Sequence, residues 1–146
     1  AEKGIHHLKN ILSRTHLLVL NREEAGLLVG KDSMEELLLK LRSLGPKIVA
    51  ITDGKHDLYV ADGKFVYRVT PPYVKIVDTT GAGDAFAASF LSGILRKNDT
   101  EFAIKLGIVN SLSVITNYGA KNILLTYNDA MKSMKKFKIK IRKKKI

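Results

Sequence analysis

Two apolar runs, Leu17-Leu-Val-Leu20 and Ile48-Val-Ala-Ile-Thr52, constrain the fold more than anything else in the chain. Successive side chains of a strand point to opposite faces. A run that is apolar at every position is therefore buried on both faces, as in a parallel sheet covered by helices. The intervening residues supply the cover. Asn21-Arg-Glu-Glu24 opens a short helix to about Val29, with Gly30 as its stop. Ser33-Met-Glu-Glu36 has the spacing of a capping box, Leu37, Leu38, Leu41 and Leu44 follow at helical spacing, and Gly45-Pro46 ends that helix. Strand, helix and strand in this order predict an α/β fold with a mostly parallel sheet and flanking helices.

The rest of the chain adds to that plan. His6 to Arg14 carries a short helical stripe at Leu8, Ile11 and Leu12. Leu58 to Ala61, the turn Asp62-Gly63 and Phe65 to Thr70 read as an antiparallel β-hairpin, which Pro71-Pro72 breaks. Val74 to Val77 reads as a short strand leading into a glycine-rich turn. A helix rich in small residues is expected from Gly83 to about Arg96, another from Glu101 to about Asn117 with Gly119 beyond its end, and a last one from about Asn128 to Lys136. No internal repeat or flexible linker interrupts the pattern.

Composition narrows the class. A chain of 146 residues fits one domain. Cysteine is absent, which removes disulfide and thiolate chemistry and fits a cytoplasmic protein. No apolar run reaches the ~18 residues of a membrane span, so a membrane is not an expected partner. Of the 25 Lys and Arg, nine lie in residues 132–146 without an acid among them, leaving 16 basic residues against 14 acidic ones elsewhere. No aromatic platform or nucleic-acid motif accompanies that charge, so nucleic acid is not an expected partner. Phe137 to Arg142 alternates with period two, as an edge strand guarded by lysines would. The expected division is a body over residues 1–136 and a basic tail over residues 137–146.

The residues that carry chemistry are Val77-Asp-Thr-Thr-Gly-Ala-Gly-Asp-Ala-Phe86, between an expected strand and an expected helix. Gly81 and Gly83 let the backbone turn tightly and let a bulky anion approach. The first amides of the following helix lack intrahelical partners, and the helix dipole adds positive potential there. Phosphate oxygens fit such a place. Asp84 would repel a phosphate and gains a purpose if it takes a proton from an attacking hydroxyl, a contribution of roughly 10²- to 10⁴-fold. A helix cap beside turn-forming glycines is the alternative reading of the same residues. Two common phosphate motifs fail: Asp84-Ala85 stands where a Walker sequence needs Lys and Ser or Thr, and Phe86 stands at the third glycine or alanine position of a Rossmann fingerprint.

The longer string Asp78-Thr-Thr-Gly-Ala-Gly-Asp84-Ala-Phe86, followed by a small-residue helix, resembles the C-terminal signature of the PfkB/ribokinase family of carbohydrate kinases. Other pieces stand in that family's order. Asn21-Arg-Glu-Glu24 resembles its Asn-x-x-Glu element, Thr52-Asp-Gly54 its Thr-x-Gly segment, and Ser111 to Ala120 its stretch beside the adenine and the monovalent cation. The resemblance runs from about Leu17 to Ala120.

It implies ATP-dependent phosphoryl transfer to a hydroxyl of a small sugar-like substrate, with Mg²⁺ and, in some members, K⁺. Asp84 would be the base. The amides of Gly81, Ala82 and Gly83 would form the anion hole, and Thr52, Gly54, Thr79 and Thr80 would contact the nucleotide. Asn21 and Glu24 would shape the Mg²⁺ site indirectly, through water, and Asp78 would help hold a monovalent cation. For Asn21 and Glu24 a plain helix start, for Thr52 and Gly54 a strand-ending turn, and for Asp78 a local hydrogen-bond acceptor remain alternatives. His6, His7, His16 and His56 show no ligand spacing and are read as surface histidines. One departure is Asp57, where the family's segment often carries a further glycine. The resemblance also implies an N-terminal half, with the sugar site and a lid sheet, that this chain does not include. The chain alone is therefore expected to bind nucleotide weakly and to show little turnover, its partner being that half or a second copy. A non-catalytic nucleotide-binding module, and a nucleoside or vitamin kinase of the same superfamily, are the competing readings.

Overall fold

The computed structural model describes residues 8–120 and 123–146. The readings of His6 and His7 lie outside the described residues. The chain divides into two compact units, one of Ala1–Thr70 with Ile141–Ile146 and the other of Pro71–Lys140.

The first unit holds a five-stranded sheet in the order β1-β2-β3-β4-β5: β1 Leu17–Asn21, β2 Ile48–Thr52, β3 Leu58–Ala61, β4 Phe65–Val69 and β5 Arg142–Lys145. β1 and β2 pair in parallel, with Leu20 beside Ile51 and Asn21 beside Thr52. The three remaining pairs are antiparallel. The sheet is therefore mixed and mostly antiparallel, not mostly parallel as the sequence suggested. The expected hairpin supplies one antiparallel pair and its attachment to β2 another. The third comes from the basic C-terminal segment, which returns to lie along β4.

Three helices belong to this unit: α1 over residues 8–12, α2 Arg22–Val29 and α3 Met34–Ser43. Both α2 and α3 begin with complete capping boxes, Asn21 with Glu24 and Ser33 with Glu36. Leu37, Leu38 and Leu41 of α3 are buried with Val49 and Ile51 of β2, Ala61 of β3 and Val66 of β4. Burying a leucine of this kind contributes about 1.5–3 kcal/mol, so α3 is held mainly by its apolar stripe rather than by helix propensity.

The hairpin has two anchors. Asp62 Oδ1 accepts from the Lys64 and Phe65 amides, both at 3.0 Å, closing the turn at Gly63. At the open end Asp57 accepts from the Arg68 guanidinium and from the Thr70 hydroxyl, the latter at 2.6 Å. The Thr70 hydroxyl foremost, then the Arg68 guanidinium, hold the Asp57 carboxyl below its ordinary value. Asp57 thus ties the base of the hairpin.

The second unit contains α4 Ala82–Lys97, α5 Thr100–Ile115 and α6 Tyr127–Phe137. α4 and α5 approach closely where small residues meet. A Cβ built on Gly93 would lie 2.6 Å from the Ala103 Cα, and one on Gly107 would lie 2.7 Å from the Phe86 ring. Phe86 stacks on Phe90 with ring centroids 5.6 Å apart. Asn110 donates to Ser89 Oγ and accepts from the Leu125 amide, so one amide side chain joins α5 to α4 and to the segment before α6.

The expected strand at Val74 to Val77 does not form. The Val77 amide donates instead to the Ile115 carbonyl at 2.8 Å, at the end of α5. Val74 to Val77 has strand-like residues but no ladder partner among the described residues.

Candidate functional site

The expected site residues fall into both units, and each group is described within its own.

In the second unit the chain from Asp78 to Asp84 forms a tight turn into α4. Gly81 occupies the N-cap position at φ 79, a left-handed conformation, and caps the helix with no side chain. The Ala82 amide donates to the Thr79 carbonyl at 3.2 Å, and the Ala85 amide to the Gly81 carbonyl at 2.9 Å. The amides of Gly83 and Asp84 have no acceptor among the described residues, and both residues are exposed. A Cβ added to Gly83 would meet nothing within 4 Å. The leading end of α4 thus carries two amides without an acceptor among the described residues, which suits an anion. Asp84 stands in the first turn with its side chain in solvent.

Asp78 organises this turn. Its Oδ1 accepts from the Thr80 amide at 2.9 Å and the Thr80 hydroxyl at 2.7 Å, and its Oδ2 accepts from the Gly119 amide at 3.3 Å. The Thr80 amide, the Thr80 hydroxyl and then the Gly119 amide hold the Asp78 carboxyl below its ordinary value. Thr79 and Thr80 are both exposed. Gly81 also meets the loop after α5, since a Cβ there would lie 2.6 Å from the Ala120 Cβ. The expected turn and the stretch ending at Ala120 are therefore in contact.

In the first unit Asn21 and Thr52 end the two parallel strands side by side. Asn21 Oδ1 accepts from the Glu24 amide at 2.8 Å, and Glu24 Oε2 accepts from the Asn21 amide at 2.9 Å. Thr52 Oγ1 donates to the Leu20 carbonyl at 3.4 Å. Gly54 turns at φ 56 with nothing within 4 Å of an added Cβ. Ligands of open α/β sheets bind beyond the carboxyl ends of parallel strands, and these residues sit at that end of β1 and β2.

Sequence reasoning missed the ion pair between Arg22 and Asp53, 3.0 Å, which ties the first turn of α2 to the turn after β2. Both residues lie inside the quoted motifs, but nothing in their spacing announced the pairing. His16 and His56 are exposed.

Mg²⁺ prefers oxygen ligands, keeps several waters and takes one or two carboxylates plus substrate phosphates. No group of three or more His, Cys, Asp or Glu gathers among the described residues to hold a metal by itself. The exposed Glu24 fits the indirect role, through water, since one carboxylate oxygen is committed to the Asn21 amide. The Asp78 carboxylate already accepts from the Thr80 amide and hydroxyl and from the Gly119 amide, so a monovalent cation there would share it with the turn.

Residues 3–126 match the profile described as pfkB family carbohydrate kinase. An uncharacterized sugar kinase of Archaeoglobus fulgidus is 36% identical over 121 residues, covering 83% of this chain and 48% of that protein. A cytidine kinase of Thermococcus kodakarensis is 34% identical over 114 residues, covering 77% of this chain and 41% of that protein. Among solved structures, a putative ribokinase II of E. coli in complex with ATP and Mg²⁺ superposes with a TM-score of 0.81 at 18% identity, over 92% of this chain and 44% of that one. That similarity establishes a ribokinase-like α/β fold. The chain spans less than half the length of these relatives. Among the described residues no helix is long and apolar enough to cross a membrane.

Proposed function

Because the chain belongs to the pfkB family of carbohydrate kinases, we propose that it is the C-terminal, nucleotide-binding part of a kinase transferring the terminal phosphoryl group of ATP to a hydroxyl of a sugar-like substrate. The observation that carries this reading is the leading end of α4, where the Gly83 and Asp84 amides have no acceptor among the described residues and stand beside an exposed carboxylate.

The Gly81, Ala82 and Gly83 backbone cradles phosphate oxygens; the Gly83 amide stabilises charge on the transferring group, while the Ala82 amide is donated to the Thr79 carbonyl and holds the turn. Thr79 and Thr80 flank that cradle, and Thr52 and Gly54 border the nucleotide. Asp84 accepts the proton of the acceptor hydroxyl as its oxygen bonds to phosphorus and the bond from phosphorus to the leaving diphosphate oxygen breaks. Asn21 and Glu24 would orient a water of Mg²⁺, which when bound would neutralise phosphate charge, and Asp78 would share its carboxylate between the turn and a monovalent cation.

The test uses the kinase that carries this chain together with its remaining sequence. Asp84→Asn should lower turnover by about 10²- to 10⁴-fold and leave ATP binding intact, because the side chain is exposed and caps nothing. Undiminished turnover would refute the reading. The isolated chain should bind ATP weakly and turn over little, since transfer needs both reactants held in line. A nucleoside acceptor is the second reading, favoured by the similarity to a cytidine kinase, and a panel of sugars and nucleosides separates the two.

A further inference from the structure

We propose that Asp78 is a positioning residue that latches the loop over residues 116–120 to the anion-binding turn, so that the two respond to a phosphate as one unit. The response to phosphate rests on the reading of the turn given above; the latch itself does not.

Three sets of contacts bind the loop and the turn, and they come from different parts of the backbone. The Val77 and Asp78 amides both donate to the Ile115 carbonyl, at 2.8 and 3.3 Å, and fix the start of the turn to the last residue of α5. The Asp78 carboxylate reaches the other way. Oδ2 holds the Gly119 amide while Oδ1 holds the amide and hydroxyl of Thr80. Gly81, at φ 79, lets Ala120 sit where a side chain would otherwise be, 2.6 Å from a built Cβ.

The start of the loop is braced separately. Thr116 Oγ1 donates to the carbonyls of Leu112 and Ser113, and Asn117 Nδ2 donates to the Ser113 carbonyl at 3.0 Å. Gly119 itself adopts φ 86, in the left-handed region. Its amide is thus presented to Asp78 by a backbone conformation that favours glycine. One carboxylate acts as a shared acceptor between two segments that are 41 positions apart in the chain. The groups set around it are N–H and O–H donors, which an ionised carboxylate accepts.

Asn at position 78 is the sharpest probe. It preserves shape but replaces one acceptor oxygen by an N–H₂ donor, which must face either Thr80 or the Gly119 amide. In the ligand-free chain, Asp78→Asn should speed hydrogen exchange at the Gly119 amide by about tenfold or more, the worth of a hydrogen bond to a charged group. Exchange at Ile104 and Val109 in α5 should not change. Equal exchange at Gly119 in the two proteins, or uniform acceleration through α5, would overturn the latch. Where Asp78→Asn does not fold, Thr80→Val removes one donor and keeps the carboxylate. Gly119 should then exchange a few-fold faster, and no change overturns the latch.

The coupling is read by amide NMR during a MgATP titration. In the wild type, the Gly83, Asp84, Gly119 and Ala120 resonances should move with one midpoint. In Asp78→Asn, Gly83 should still move, at a midpoint raised about tenfold, while Gly119 stays still. Gly119 moving with Gly83 in the variant, or standing still in the wild type while Gly83 moves, would overturn the coupling. If no resonance of the turn moves in the wild type, the anion-site reading fails instead, and the exchange experiment alone decides the latch.

Discussion

Gly83→Ala should make the fold more stable and the site worse. Gly83 lies inside α4, has no left-handed φ and meets nothing within 4 Å of an added Cβ. Alanine in a helix is more favourable than glycine by about 0.5–1 kcal/mol. The gain here sits at or below that range, because the position is in the first turn, and it corresponds to a rise in Tm of a few degrees. The ligand side has the opposite sign. A methyl group beside the Gly83 amide crowds a phosphate oxygen approaching that donor, and a hydrogen bond to a charged group is worth about 1.5–3 kcal/mol. At about 1.4 kcal/mol per factor of ten, ATP affinity should fall by tenfold or more. Thermal unfolding followed by circular dichroism gives the first quantity and calorimetric titration with MgATP the second. An unchanged ATP affinity would refute the reasoning, since glycine would then have neither a structural nor a functional reason to stand there. A loss of stability would refute it differently, by showing that a Cβ at position 83 meets a neighbour.

Two further outcomes are expected. Glu24→Gln keeps the capping box, because Gln serves as well as Glu at that position, so stability should change by less than about 1 kcal/mol; Mg²⁺ dependence of ATP binding or turnover should shift by about 10- to 100-fold, as changes to groups that orient a metal's water do, and an unshifted dependence would leave Glu24 as a cap alone. Acid should loosen the molecule in a defined window: Asp32, Asp57 and Asp78 all have carboxyl values below the ordinary 3.8, with Asp32 lowered to about 2 chiefly by hydrogen bonding with Glu36 and Lys40. A lowered folded-state value contributes stability that is present above the unfolded value and lost as pH falls through the folded one, so urea midpoints should hold above about pH 4 and drop between about pH 4 and 2, and a midpoint flat through that range would contradict the assignment.

Much of this was legible in the residues. The runs Leu17 to Leu20 and Ile48 to Thr52 became the parallel pair, and the Ser33-to-Glu36 spacing became a capping box. What failed was whatever depended on partners far along the chain. Arg142 to Lys145 carries no strand pattern because every residue is charged, yet it supplies an exposed edge strand along β4. In its alternating predecessor, Phe137 to Arg142, Phe137 closes α6, Ile139 is buried and only Arg142 joins the strand. Val74 to Val77 had strand composition, and the Ile115 carbonyl took its last amide. Asp57 stood in the sequence only as a departure from the family's glycine; with Arg68 and Thr70 in place it is a brace of the hairpin.

The glycines show most clearly where sequence stops being informative. Gly83, Gly93 and Gly107 look alike as small residues in two adjacent helices. In the structure two of them are contact points: a Cβ would come within 2.6 Å of Ala103 at Gly93 and within 2.7 Å of Phe86 at Gly107. Their smallness is explained by the packing of α4 on α5, and replacing either would overpack a close contact at a cost of about 1–3 kcal/mol. No such account exists for Gly83. It has the helix cost of glycine without a neighbour to accommodate or a left-handed turn to make. Gly26 in α2 is equally unhindered, so freedom from neighbours alone does not mark a ligand site. What sets Gly83 apart is its place in the first turn of α4, where its amide has no acceptor among the described residues and an anion would be held.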